Sequence, residues 1–255
     1  MSASRETMPS FESESLEIFY QMDGEGDPVL LIHGFASNSD VNWIATGWVK
    51  TLADAGYKAI TMDNRGHGKS EKPHDIDAYH PAEMAKDVLN LMDHLNIGSA
   101  PLLGYSMGAR IAAFAASSQP DRVEKLIMGG IGMNLIEGMK DSRVIIEGLK
   151  AGKLSDVTDK TARQFRIFAE HTGSDLKALA ACMEGSRKQL APEDAAALAM
   201  PALIVLGEDD EIAGSGPQLA GLIPHADLVL IPRRDHMRTT GDPVFKQAVL
   251  DFLSK

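Results

Sequence analysis

Short apolar runs recur along the chain, separated by longer stretches that mix polar residues with glycine and proline. Residues 28–32, 58–62, 100–103, 123–128, 201–206 and 226–231 read as strands. Several are apolar almost throughout, as in the run PALIVL that begins at Pro201. Strands covered on both faces carry such runs, which is the setting of a parallel sheet. The intervening stretches are long enough for crossover helices. Residues 81–95 place Met84, Val88, Leu91, Met92 and Leu95 on one helical face. Pro81 suits the first helical position, and Gly98 lies just past the end. A second helix follows Ser106, where MGARIAAFAASS is small enough to pack close to a sheet, and a last one covers residues 243–253. Residues 16–21 read as an antiparallel strand ahead of the first parallel one, with residues 23–28 as its turn.

The rhythm breaks once. Residues 132–200 carry no strand pattern, while Phe165, Phe168 and Ala169, and then Leu176, Leu179, Ala180 and Met183, have helical spacing. The expected organisation is therefore an α/β core domain from residues 11–131 and 201–255, an all-helical insertion at 132–200, and a flexible N-terminus at 1–10.

Composition narrows the class. A chain of 255 residues, 44% hydrophobic and 24% charged, buries a core of its own and does not have the make-up of a disordered protein. Cys182 is the lone cysteine, so no internal disulfide can form. It reads as a small buried apolar residue. A net charge of −11 opposes nucleic-acid phosphates and anionic membranes, so neither is expected as a partner. No apolar run approaches the ~20 residues of a membrane span. The first twenty residues hold no apolar core of signal-peptide length, so the expected location is cytoplasmic.

The candidate chemistry starts at Gly104-Tyr105-Ser106-Met107-Gly108. The G-x-S-x-G pattern alone is weak, but here it joins an apolar strand to an Ala-rich helix, as a nucleophile elbow requires. A serine on such a turn presents its hydroxyl at the sheet edge, and glycines on either side remove side chains that would clash. Serine is a poor nucleophile until a base lies within hydrogen-bond reach. His236 follows the last strand on the same edge. The turn Gly207-Glu208-Asp209-Asp210-Glu211 follows the strand PALIVL and supplies carboxylates, giving the order Ser, Asp, His. No G-x-x-x-x-G-K-[ST] is present, Gly129 to Gly132 do not extend to a G-x-G-x-x-G, and no H-x-x-x-H pair or cysteine cluster suggests zinc. Neither a metal nor a cofactor is expected.

With these motifs the chain resembles the α/β-hydrolases, in particular serine esterase-like members with a helical cap. The resemblance runs from about Leu16 to Leu253. LIHGF from Leu31 resembles the family's oxyanion loop, DNRGHGKS from Asp63 its loop after the fourth strand, GYSMG its elbow, and GEDD with RDHM its acid and histidine positions. The resemblance implies a mostly parallel eight-stranded sheet flanked by helices, with residues 132–200 as the cap. It implies Ser106, Asp210 and His236 as catalytic residues, with Asp209 as the other candidate acid. It places the oxyanion-hole N–H groups at Phe35 and Met107, and makes His33 a structural histidine beside that loop. Met133, Met139, Phe165 and Phe168, with Leu135, Ile136 and Met183, would line an apolar substrate pocket or pack the cap onto the core. Trp43 and Trp48 read as a buried helix face or as a wall of the entrance. The nucleophile position holds serine, where haloalkane dehalogenases and epoxide hydrolases have aspartate.

The function expected is hydrolysis of a small or medium apolar carboxylic ester through an acyl-enzyme, without cofactor, on a small-molecule substrate. The same residues would serve for lactones, thioesters, amides, carbon–carbon bonds or peracid formation. A ligand-binding domain without turnover is the reading outside enzymology.

Overall fold

The computed structural model describes residues 9–139 and 142–255. Most of the expected flexible N-terminus, residues 1–8, lies outside the described residues. Its end does not behave as expected: Ser10 opens a strand, and the Tyr20 N–H donates to the Pro9 carbonyl at 3.1 Å.

In chain order the elements are β1 (Ser10–Ser13), β2 (Leu16–Asp23), β3 (Asp27–Ile32), α1 (Trp48–Asp54), β4 (Tyr57–Met62), α2 (Pro81–His94), β5 (Ala100–Tyr105), α3 (Met107–Ser118) and β6 (Val123–Gly129). Then come α4 (Asn134–Glu137), α5 (Ser142–Lys150), α6 (Lys160–His171), α7 (Leu176–Gly185) and α8 (Pro192–Ala196). The chain returns to the sheet with β7 (Ala202–Gly207), α9 (Gly216–Leu222), β8 (Ala226–Ile231), α10 (His236–Thr239) and α11 (Pro243–Leu253). Between β6 and β7, residues 132–200 contain helices and no described strand.

The eight strands form one sheet in the order β1-β2-β4-β3-β5-β6-β7-β8. β1 and β2 are antiparallel to their neighbours, and β3 through β8 run parallel. This is the α/β-hydrolase fold, with a mostly parallel sheet flanked by helices. β2 and β3 are joined by a short turn yet are not neighbours, because β4 lies between them. The connection therefore crosses the start of β4. Gly26 crosses at φ +99°, and a Cβ there would run into the Gly56 carbonyl. Only glycine fits this crossing.

Alternation along the strands divides the core in two. Leu30, Ile32, Ile60, Met62, Leu102, Leu126, Met128 and Ile204 join the cluster that includes Met84, Val88 and Leu91 of α2 and the alanines of α3. Val29, Leu31, Leu103, Tyr105, Ile127, Leu203 and Val205 face Trp48 and Leu52 of α1 and Phe245 and Val249 of α11. Both faces of the central strands are covered, which explains their unbroken apolar runs. Trp43 and Trp48 are fully buried in this second cluster, with ring centroids 6.0 Å apart, so they belong to the core and not to an entrance. The Trp48 indole N–H donates to the Thr240 carbonyl at 2.7 Å, tying α1 to the loop after α10.

Candidate active site

Six parallel strands point their C-terminal ends to one edge, and the candidate residues gather there. β5 ends at Tyr105 and α3 begins at Met107, leaving Ser106 alone on the turn. Its backbone sits at φ +53° and ψ −110°, outside the regions that an L-residue ordinarily occupies. Such a residue stores about 1–3 kcal/mol of strain and persists only where its surroundings hold it. Those surroundings are close. A Cβ on Gly108 would collide with the Ile32 carbonyl, and one on Gly104 would lie 2.5 Å from Ala109 Cα. The Ser106 N–H donates to the Gly129 carbonyl of β6 at 2.8 Å, and its carbonyl accepts the Arg110 N–H at 3.2 Å.

Ser106 Oγ lies 3.0 Å from His236 Nε2, and His236 Nδ1 lies 2.8 Å from Asp210 Oδ2. A carboxylate only accepts, so Nδ1 carries the proton and donates it to Asp210. That leaves Nε2 as an acceptor for the serine hydroxyl. The other Asp210 oxygen, Oδ1, accepts the Ile212 and Ala213 N–H groups, each at 3.0 Å, which orients the carboxylate. The Asp210 side chain is 1% exposed and that of His236 9%, so the contact is shielded from water. The structure thus brings Asp210 to His236, while Asp209 stands exposed with its N–H donating to the Arg234 carbonyl. His236 opens α10, and the Asp235 side chain accepts the Met237 and Arg238 N–H groups to cap that turn. The buried Tyr105 hydroxyl donates to the His236 carbonyl, a positioning contact that the sequence did not disclose. Burial pushes the Tyr105 phenol well above its ordinary pKa, which keeps it a donor.

The loop after β3 lies against the elbow. A Cβ on Gly34 would sit 3.6 Å from Ser106 Cβ. The Gly34 N–H donates to Asn42 Oδ1 at 3.1 Å. The N–H groups of Phe35 and Met107 find no protein acceptor among the described residues. His33 fixes the loop from beneath. Its Nε2 accepts the Asn64 N–H at 2.9 Å, so its Nδ1 is protonated and donates to the Gly34 carbonyl at 2.8 Å. Burial lowers the His33 pKa, opposed in part by Asp63. His67 packs edge-on against both His33 and Phe35, at 5.2 and 5.8 Å between ring centroids. Burial, reinforced by the neighbouring His33, lowers its pKa to about 3.

Helices from the insertion meet this edge. The Phe165 ring is 5.8 Å from that of Phe35, Thr172 Oγ1 donates to the Ala36 carbonyl at 3.0 Å, and the Cys182 thiol contacts Met107 Sδ at 3.6 Å. A cavity opens beside Ser106, lined also by Met107, Arg110, Asn134, Met139 and Arg187. Of the residues expected to form an apolar pocket, only Met139 lines this cavity. Phe165 packs on Phe35, while Met133 and Phe168 pack against the main core. Apolar spacing on a helix marks a packing face and does not distinguish core from cavity, so the two expected roles of these residues were not separable in the sequence. Arg110 and Arg187 were missed, though a charged residue one turn beyond Ser106 in the Ala-rich α3 was a visible signal.

The topology is that of the α/β-hydrolase fold, and a serine, a histidine and an aspartate are in contact at the C-terminal edge of the sheet. The family model for the alpha/beta hydrolase fold matches residues 27–139. The chain is 36% identical over 146 residues to an sn-1-specific diacylglycerol lipase of Danio rerio, covering 56% of this chain and 44% of that one. The chain thus matches less than half of that relative's length. It is 28% identical over 276 residues to the non-heme chloroperoxidase CPO-A1 of Kitasatospora aureofaciens, covering 95% of this chain and 98% of that protein. The enol-lactonase of Burkholderia xenovorans LB400 superposes with a TM-score of 0.81 at 22% identity, over 97% of this chain and 100% of the other. The chain has the fold of these proteins, and its sequence relatives support a hydrolase. No described helix is long and apolar enough to cross a membrane.

Proposed function

We propose that the chain is a cofactor-free serine hydrolase of carboxylic esters, working through an acyl-enzyme on a small-molecule substrate. The observation that carries this reading is the unbroken contact from Ser106 Oγ through His236 to the shielded Asp210. In this mechanism His236 Nε2 takes the Ser106 proton as Oγ attacks the acyl carbon. The free N–H groups of Phe35 and Met107 meet the oxyanion, and the N-terminus of α3 adds its dipole. His236 gives the proton to the leaving alcohol, and Asp210 stabilises the imidazolium while it lasts. Water then releases the acid by the same route. Residues 132–200 act as the cap that bounds the acyl site.

The test is turnover of a series of p-nitrophenyl esters by the wild type and Ser106→Ala. The reading expects the wild type to hydrolyse short-chain members and the variant to lose nearly all of that rate. A variant that keeps the rate removes Ser106 from the mechanism. A wild type inactive on every ester moves the reading to lactone, thioester, amide or carbon–carbon substrates.

A second reading, peracid formation, is favoured by the similarity to a non-heme chloroperoxidase over nearly the whole chain. The same acyl-enzyme would be captured by hydrogen peroxide in place of water. Peracid yield measured against acid yield in the presence of peroxide separates the two.

A further inference from the structure

Among the described residues Arg187 has no counter-ion in the cavity that holds the nucleophile. It lines that cavity together with Ser106. Its Nη1 lies 3.4 Å from Met139 Sδ, its Nη2 faces Met183 Sδ, and its Nε reaches only the Met183 carbonyl, at 3.3 Å. Thioether sulfur is a weak acceptor, so a five-donor guanidinium is left nearly unsatisfied. No carboxylate among the described residues lies within ion-pair distance of it, in a chain where acids outnumber Lys and Arg by 36 to 25. The neighbouring Cys182 does not compensate it, because burial pushes that thiol up to about 12. Arg110 lies in the same cavity, but its guanidinium is engaged by the carbonyls of Asn134, Leu135 and Lys188. Both arginines are lowered to about 10, by burial first, and Arg110 also by repulsion from Arg187. They remain charged at neutral pH. The Arg187 guanidinium carbon stands 5.9 Å from the ring of Phe35, the residue that offers one free N–H beside Ser106.

A half-buried guanidinium with no ion-pair partner among the described residues is costly unless something answers it. The geometry points to Arg187 as the recognition group for a carboxylate carried on the acyl part of the substrate. This rests on the serine-hydrolase reading and narrows its substrate class, from apolar esters to esters or lactones of dicarboxylic half-acids. The guanidinium fork would take the carboxylate bidentately. Met139 and Met183 would adapt to the methylene chain between it and the acyl carbon. A net charge of −11 disfavours anionic substrates at long range, so a preference for one would have to come from this local cation.

The experiment compares p-nitrophenyl monoesters of succinate, glutarate and adipate with the p-nitrophenyl esters of butanoate, pentanoate and hexanoate. The readout is the ratio of kcat/KM, charged over neutral, at each chain length. The expected wild-type ratio exceeds 10 at one length, on the order of a charge-assisted hydrogen bond. It falls at least tenfold in Arg187→Gln and partly recovers in Arg187→Lys. A ratio near one in the wild type, or one unchanged in Arg187→Gln, overturns the proposal while leaving Ser106 chemistry standing. If no ester turns over, the esterase reading fails separately, and calorimetry decides the arginine. Monomethyl glutarate should then bind the wild type more tightly than methyl pentanoate, and Arg187→Gln should abolish the difference. Equal or absent binding of the two overturns the assignment.

Discussion

His33 and Asn64 exchange two hydrogen bonds: His33 Nε2 accepts the Asn64 N–H, and the His33 carbonyl accepts from Asn64 Nδ2, both at 2.9 Å. The pair ties the loop after β3 to the loop after β4 and so holds Phe35 beside Ser106. It works only while His33 is neutral, since a protonated Nε2 could not accept. His67, packed against the same ring, is also held neutral by burial.

This gives the fold a defined sensitivity to acid. Both histidines have native pKa values depressed below 6.5, so the unfolded chain binds protons that the native one refuses. Their contribution is fully present above the unfolded pKa and is lost as pH falls, for His67 at up to about 1.4 kcal/mol per pH unit down towards pH 3. Urea midpoints should drop between pH 7.5 and 5, and His67→Gln should flatten the slope. Midpoints flat over that range would contradict the assignment of both rings as buried and neutral.

The two acids of the turn after β7 should separate cleanly. Asp210→Asn keeps the shape but removes the charge that fixes the His236 tautomer, and should lower kcat by about 10⁴-fold. Asp209→Asn, on an exposed side chain, should stay within a few-fold of wild type. Steady-state kinetics on the best ester checks both. Equal losses would mean that Asp210 does not hold the histidine in solution.

Legibility of the site followed from how local each signal is. The Ser106 elbow is written in five consecutive residues because its glycines answer backbone collisions at that very turn. The sequence narrowed the acid to two neighbours, and three-dimensional reach to His236 separated them. The short edge strand β1 stayed hidden, because SFES offers one apolar residue and gains its strand from pairing with β2. The order β2-β4-β3 was equally hidden, since a short turn ordinarily joins neighbours. Arg187 was invisible for another reason: a charge in the turn after a helix reads as solvated unless its surroundings are known.

Arg65 and Asp87 form a buried pair away from the nucleophile. Arg65 Nε and Nη2 reach the two Asp87 oxygens at 2.7 Å each, and Ser13 Oγ donates to Asp87 Oδ1 at 2.6 Å. The pair joins the loop after β4 to α2 and to the edge strand β1. Asp87→Ala leaves the guanidinium, 3% exposed, with the Ala78 and Glu83 carbonyls and Glu14 at 3.8 Å, and should cost about 3–5 kcal/mol. Chemical denaturation measures this, and a loss below about 1 kcal/mol, the range of a surface pair, would contradict it.

The proposed mechanism requires Ser106 to become covalently acylated. Intact-mass and peptide mass spectrometry after treatment with a p-nitrophenyl alkylphosphonate tests it directly, because phosphorus stays on the serine that attacks it. One phosphonyl group per chain is expected, carried by the peptide containing Ser106, and none on Ser106→Ala. Adduct on another residue, or equal labelling of the variant, would contradict it.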